Sequence, residues 1–249
     1  MISCGWKSVI HSIALKKKFK EKIFNIHIQD PKVSLDNFDL IICPKHDDLQ
    51  GENVIKTNGA IHYLTKQEID KNSKYISIDK ENRKIVSFIL GGPNKYYDFS
   101  EEQINFVFNK VKNLFTPDKY KLIVIPSYRT PEDIIKKAFN TFSHNHIVFK
   151  EIDKNAYLSS LAQADVIGVT CDSTSMISEA AVTRKPIYIA NMLPIKSNKR
   201  FKFFYSQFKK LGIIRDLEES VDLWSYNQLD EVNRIAPIIK ERMKNNGII

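Results

Sequence analysis

The chain has 249 residues, 43% of them hydrophobic and 11% aromatic, and carries a formal net charge of +9. That supplies one large core or two modest ones and excludes an intrinsically disordered chain. No run approaches the roughly 20 apolar residues of a membrane-spanning helix, the N-terminus lacks the apolar centre of a signal peptide, and Cys4, Cys43 and Cys171 show no paired spacing for disulfides or a cysteine-based zinc site.

A reducing, cytoplasmic setting fits this pattern. Lysine is spread along the whole chain beside abundant Ile and Asn, so the charge reads largely as compositional bias, and no nucleic-acid partner is expected. Residues 6–20 read as a helix with Val9, Ile10, Ile13 and Ala14 as its apolar stripe; Lys16, Lys17, Lys18, Lys20 and Lys22 gather at its C-terminal end, where cations complement the dipole. Residues 23–28 and 38–43 read as strands running into Gln29-Asp30-Pro31 and Pro44-Lys45-His46-Asp47-Asp48, and Val54-Ile55 as a third short strand. Residues 66–84 are polar, lysine-rich and without apolar period, which predicts a linker and a division into domains 1–84 and 85–249.

Beyond residue 85 strands and helices alternate. Strand 85–90 leads to Gly91-Gly92-Pro93-Asn94-Lys95 and a helix over 100–115 with Ile104, Val107, Phe108 and Val111 on one face. Strand 122–125 leads to Pro126-Ser127-Tyr128-Arg129-Thr130-Pro131 and a helix capped near Thr130. Strand 147–149, a helix through Tyr157, Leu158 and Leu161, and strand 166–169 follow. The small oxygen-bearing residues Asp172, Ser173, Thr174 and Ser175 then cap a helix containing Met176, Ile177, Ala180 and Ala181, and the next strand starts after Pro186. Lys196, Lys199, Arg200, Phe201, Lys202, Phe203, Phe204, Tyr205, Phe208, Lys209 and Lys210 interleave charge with aromatics. Such a segment suits an amphipathic helix packed on the sheet, and also lipid head groups or nucleotide bases. A short strand near Ile213 and a helix over 229–243 complete an α/β pattern with a doubly wound parallel sheet.

Three loops in the second domain carry phosphate-binding chemistry. Gly91-Gly92 lets the backbone approach a ligand, with Lys95 as a nearby charge. Ser127 and Arg129 offer a hydroxyl and a guanidinium fork. The Asp172–Ser175 cluster marks a helix N-terminus, where free N–H groups and the positive dipole end favour phosphate, and Glu179, too far along for a capping box, suits two ribose hydroxyls. The same residues also fit an ordinary N-cap and a solvated glutamate. In the first domain strands 23–28 and 38–43 deliver polar residues at their carboxyl ends, among them Asp30, His46 and Asp47.

Gln29-Asp30-Pro31, Pro44-x-His46-Asp47, Gly91-Gly92-Pro93-x-Lys95, Ser127-x-Arg129-Thr130-Pro131, Asp172-Ser173-x-Ser175-Met176-x-Ser178-Glu179-Ala180 and Trp224-Ser225-Tyr226 together resemble bacterial relatives of the plant mitochondrial-fission family called "elongate mitochondria". That family in turn resembles the GT-B glycosyltransferases. The resemblance implies two Rossmann-like domains, the N-terminal one truncated by the lack of an opening strand-helix portion. It implies a nucleoside-diphosphate sugar, uridine-linked, as donor substrate, with no further cofactor. Gly91, Gly92, Lys95 and Arg129 would meet the diphosphate, Ser127, Asp172, Ser173 and Ser175 would lie at the phosphate end, and Glu179 at the ribose. In the N-terminal part Asp30, His46 and Asp47 would face the cleft as candidate general bases, His46 being the natural one near neutral pH; a structural, hydrogen-bonded histidine is its competing account. The acceptor would be a cell-envelope molecule at the inner face of a bacterial membrane, with the protein cytoplasmic and peripheral on that anionic surface. No metal site is expected, because GT-B enzymes stabilise the leaving diphosphate with helix dipoles and basic groups. A non-catalytic adaptor role, as described for the plant protein, is the alternative.

Overall fold

The computed structural model describes residues 1–218 and 220–249. They form two compact units, Met1–His62 with Leu229–Ile249, and Tyr63–Gln228.

The first unit is a parallel sheet of β1 (Ile2–Cys4), β2 (Ile26–Ile28), β3 (Leu40–Pro44) and β4 (Val54–Thr57), in that spatial order. Every residue of β3 is buried, as a central parallel strand covered on both faces requires. Alternation along β3 divides the core in two. Ile41 and Cys43 pack with Phe38, Val9 and Ile13, the last two from α1 (Val9–Phe19). Leu40 and Ile42 pack with Phe24, Ile26 and Ile55 against Ile235, Ile238, Ile239 and Met243 of α2, which spans Glu231–Asn245. The apolar stripe predicted for α1 is therefore partly wrong: Ile10 is 77% exposed and Ser12 is buried. Lys16 does more than complement a dipole, donating to both Asp39 carboxylate oxygens and to the Ile23 carbonyl.

The C-terminal helix thus completes the first unit, and the boundary expected at residue 84 falls at 62. Residues 66–84 are no linker. Thr65 caps a six-residue helix, α3 (Lys66–Lys71), by accepting from the Glu68 N–H, and Ile69 and Ile76 are buried. These two, with Ile78 partly buried against the same core as Ile76, are scattered through a lysine-rich stretch, so its period is invisible in sequence.

The second unit holds the larger sheet, whose strands all run parallel. Its strands are β5 (Lys84–Leu90), β6 (Tyr120–Pro126), β7 (Ile147–Val148), β8 (Val166–Thr170), β9 (Ile187–Ala190) and β10 (Ile214–Asp216), in the order β7-β6-β5-β8-β9-β10. This is the doubly wound dinucleotide-fold order, with the chain reversing direction of growth between β5 and β8. The crossover helices are α4 (Glu101–Leu114), α5 (Glu132–Phe142), α6 (Lys154–Gln163), α7 (Thr174–Ala181) and α8 (Lys199–Lys210). As expected, Ile104, Val107, Phe108 and Val111 form the buried face of α4. The basic-aromatic segment is the amphipathic helix α8, with Phe201, Phe204 and Phe208 buried.

Trp224 and Tyr226 act inside this unit. The Trp224 indole donates to the Gly212 carbonyl and packs edge-on against Tyr188. Tyr226 donates to the Lys185 carbonyl while its own carbonyl accepts from Arg184, which turns left-handed at φ 61° before β9.

Two measurements test these assignments. Ile235→Ala, a truncation in the first unit's core, should cost about 3 kcal/mol in urea unfolding despite lying in the C-terminal segment. At β7, the His146 Nδ1 accepts from the Leu122 N–H at 3.3 Å, and burial, reinforced by Lys121 and Arg83, lowers its pKa to about 4. Between pH 6.5 and about 4 the unfolded chain therefore binds a proton that the folded chain refuses, and stability falls as pH falls through that window. His146→Asn should flatten that part of the stability profile.

Candidate functional site

The carboxyl ends of β5, β6 and β8 are fastened together by one carboxylate. Asp172, two residues beyond β8, is 2% exposed. Its Oδ1 accepts from the Thr170 hydroxyl at 2.6 Å; its Oδ2 accepts from the Gly92 N–H at 3.2 Å and from the Arg129 guanidinium at 2.5 Å. Arg129 also donates to the Gly92 carbonyl at 3.0 Å. The Gly91 N–H donates to Thr170 Oγ1 at 2.8 Å, and the Thr130 hydroxyl lies 2.8 Å and 2.7 Å from the carbonyls of Leu90 and Gly91. Burial pushes the Asp172 carboxyl above its ordinary range, while the Thr170 hydroxyl, the Arg129 charge and the Gly92 N–H pull it back.

This network corrects the reading of the glycines. A Cβ on Gly91 would sit 2.0 Å from Asp172 Oδ1, and one on Gly92 would sit 1.8 Å from the Arg129 carbonyl oxygen. The pair makes room for Asp172 and Arg129, so the close approach is intramolecular. Asp172 itself is a structural tie rather than a surface group. Thr130 is no helix cap: α5 starts at Glu132, with Pro131 in the N-cap position. Lys95 points elsewhere, its ammonium 4.8 Å from the Tyr96 ring centroid.

Beside the tie lies a cavity of about 330 Å³ with aromatic and apolar walls that include Tyr63, Tyr128, Tyr157 and Met176, and with Ser127, Asp153, Lys154 and Glu179 as polar groups. It opens at the β5–β8 crossing, where doubly wound sheets take their ligands. Ser173 caps α7 by accepting from the Met176 N–H at 3.3 Å, and Ser175 is exposed on the first turn. Glu179 is held one turn further on, its Oε2 accepting from the Tyr157 hydroxyl at 2.8 Å. Burial and the Glu179 charge raise the Tyr157 pKa well above 10, so the phenol keeps its proton and remains a donor. Sequence alone missed Tyr157, Tyr63 and Tyr128: the first two reach the cavity only through tertiary folding, and the third, 89% exposed, had no neighbour to give it meaning.

In the first unit the candidate bases are all engaged. The His46 side chain is 1% exposed, with Nε2 3.9 Å from Asp47 Oδ1, and Asp47 lies 3.6 Å from the Cys43 thiol. Asp30 accepts from the Lys32 N–H and, at 2.5 Å, from its ammonium. No cluster of three His, Cys, Asp or Glu side chains suited to a metal ion occurs among the described residues.

Parallel doubly wound topology with a cavity at the crossing point defines a Rossmann-like α/β protein of GT-B-like type. Solved structures agree on the fold: a Listeria monocytogenes protein described as a UDP-N-acetylglucosamine 2-epimerase matches with TM-score 0.52 at 12% identity, covering 98% of this chain and 74% of that one. A UDP co-structure of MnaA from S. aureus matches with TM-score 0.51 at 12% identity, covering 98% and 79%. Residues 1–243 match the family Mitochondrial fission ELM1, and the chain belongs to that family. It is 28% identical to an uncharacterized protein of Rickettsia prowazekii (strain Madrid E), over 99% of this chain and 80% of that protein. It is 23% identical to mitochondrial fission protein ELM1 of Arabidopsis thaliana over 99% of this chain, and spans 64% of the plant protein's length.

The tie makes a sharp prediction. Gly91→Ala should destabilise the protein by about 2–3 kcal/mol through steric conflict with Asp172. In a double-mutant cycle with Asp172→Ala, measured by urea unfolding, the two losses should be strongly non-additive.

Proposed function

We propose that the second unit binds a nucleoside diphosphate at the β5–β8 crossing, and that the chain is a GT-B-type glycosyltransferase moving the sugar of a uridine-linked donor to a cell-envelope acceptor. The observation that carries this reading is the 330 Å³ cavity in which Ser127, Glu179 and aromatic walls meet beside the N-terminus of α7. A nucleoside needs an apolar slot with a carboxylate for its ribose hydroxyls; a diphosphate needs N–H groups and positive charge next to that slot. Glu179 answers the first requirement. The first-turn N–H groups of α7, the Ser173 and Ser175 hydroxyls and the guanidinium of Arg129 answer the second.

Arg129 already satisfies Asp172 and the Gly92 carbonyl, so its orientation is fixed before any ligand arrives. A preorganised cation near a departing diphosphate stabilises the charge that develops as the glycosidic bond breaks. For the acceptor's proton the first unit offers Asp30, His46 and Asp47. Asp30, part-exposed, is the more accessible of the two carboxylates; His46, buried, and Asp47, nearly so, fit a positioning role.

Calorimetry of the full chain with UDP, GDP, ADP and UDP-N-acetylglucosamine tests the donor site. UDP should bind, and Glu179→Ala should weaken it roughly 10- to 100-fold, the loss expected when a charged hydrogen-bond partner is removed. Absence of binding by every diphosphate to a folded chain would overturn the reading and favour the adaptor role, for which nucleotide-independent capture of a protein partner is the test.

A further inference from the structure

We propose that the outward face of α8, together with the loop that precedes it, docks on an anionic lipid bilayer. Phe201, Phe204 and Phe208 turn inward, and helical spacing then places Lys199, Phe203, Ser206 and Lys210 in one row on the opposite face. Phe203 is 51% exposed. In the loop from β9, Leu193 is 74% and Ile195 52% exposed. These side chains are presented by a held backbone: the Leu193 N–H donates to the Gln103 side chain at 2.9 Å, and the Ile195 N–H to the Tyr96 carbonyl at 2.8 Å.

The Tyr96 bond also brings Lys95 to this surface, since the Lys95 ammonium lies over the Tyr96 ring. Lys95, Lys196, Lys199, Lys202 and Lys210 form no ion pair among the described residues, whereas Lys209, on the flank of the helix, is paired with Asp216. Lysines held in no ion pair, Lys95 among them over the Tyr96 ring, therefore surround three exposed apolar side chains.

Charge alone would suit any polyanion; the apolar chemistry chooses between them. Of the three exposed apolar side chains only Phe203 has a π-face for a base, and Phe201, Phe204 and Phe208, which could have extended it into a stacking platform, are in the core. A bilayer rewards both components, taking the apolar tips below the head groups while ammonium groups sit at phosphate depth. The segment is too short and polar to span: no helix among the described residues is long and apolar enough to cross a membrane. The surface lies apart from the cavity-lining residues, and its test needs no nucleotide, so it stands or falls separately from the donor-site reading.

Co-sedimentation of the full chain with vesicles of phosphatidylcholine, with and without phosphatidylglycerol, decides it. The expected result is capture by the anionic vesicles alone, weakened by salt. Lys199→Glu/Lys202→Glu and Leu193→Ser/Ile195→Ser/Phe203→Ser should each bind at least about tenfold more weakly with unchanged melting temperature, since all five positions face solvent. Failure of the wild type to sediment with anionic vesicles would overturn the proposal. So would undiminished binding of the apolar triple variant, or tighter binding of an oligouridylate RNA than of the vesicles.

Discussion

A carboxylate shut away from water must be met by donors, and in this protein the donors that meet Asp172 come from three different strand ends. Thr170 belongs to β8, Gly92 follows β5, and Arg129 follows β6. Neighbouring strands fix one another through backbone hydrogen bonds, but their loops gain no order from the ladder. The Asp172 tie extends the order of the sheet into the loops, at the edge where a doubly wound fold binds its ligands. Removing one member leaves the others with unmet polar groups in a site that admits little water.

The arrangement gives two adjoining environments from one set of contacts. On one side of the loops stands the α7 N-terminus with its hydroxyls and the part-exposed Arg129 guanidinium. On the other stands the aromatic slot with Glu179 pinned by Tyr157. A polar end and an apolar end at a fixed spacing match a ligand with a charged middle and a flat, hydrogen-bonding terminus. The chain belongs to the Mitochondrial fission ELM1 family and shares its fold with the solved structures it resembles, and neither likeness specifies a reaction.

Periodicity made the second unit legible. The strands at 85–90, 122–125 and 166–169 and the helix over 100–115 appear in the structure within a residue or two, because long apolar runs and clean amphipathic spacing leave few alternatives. Convergence of the three loops was legible too. Their inner logic was not, since the steric demand for Gly91 comes from a carboxylate some 80 positions away. β1 is three residues at a sheet edge and carries no periodic signal, and the helix at residues 66–71 hides in lysine-rich sequence. The domain boundary failed for a related reason: the partner of an amphipathic helix is a tertiary fact, and nothing in residues 229–249 announces that their apolar face belongs with β2, β3 and β4.

That last helix has a consequence for how the chain is made. Tyr63–Gln228 is contiguous and carries its whole core within itself, so it can close as soon as it leaves the ribosome. The four strands of the first unit are synthesised before it, yet one face of their sheet stays uncovered until Ile235, Ile238 and Ile239, which follow the second unit in sequence, have emerged. A sheet made before the second unit is thus finished only after it, and during the interval its exposed apolar strands are a segment in need of protection from aggregation.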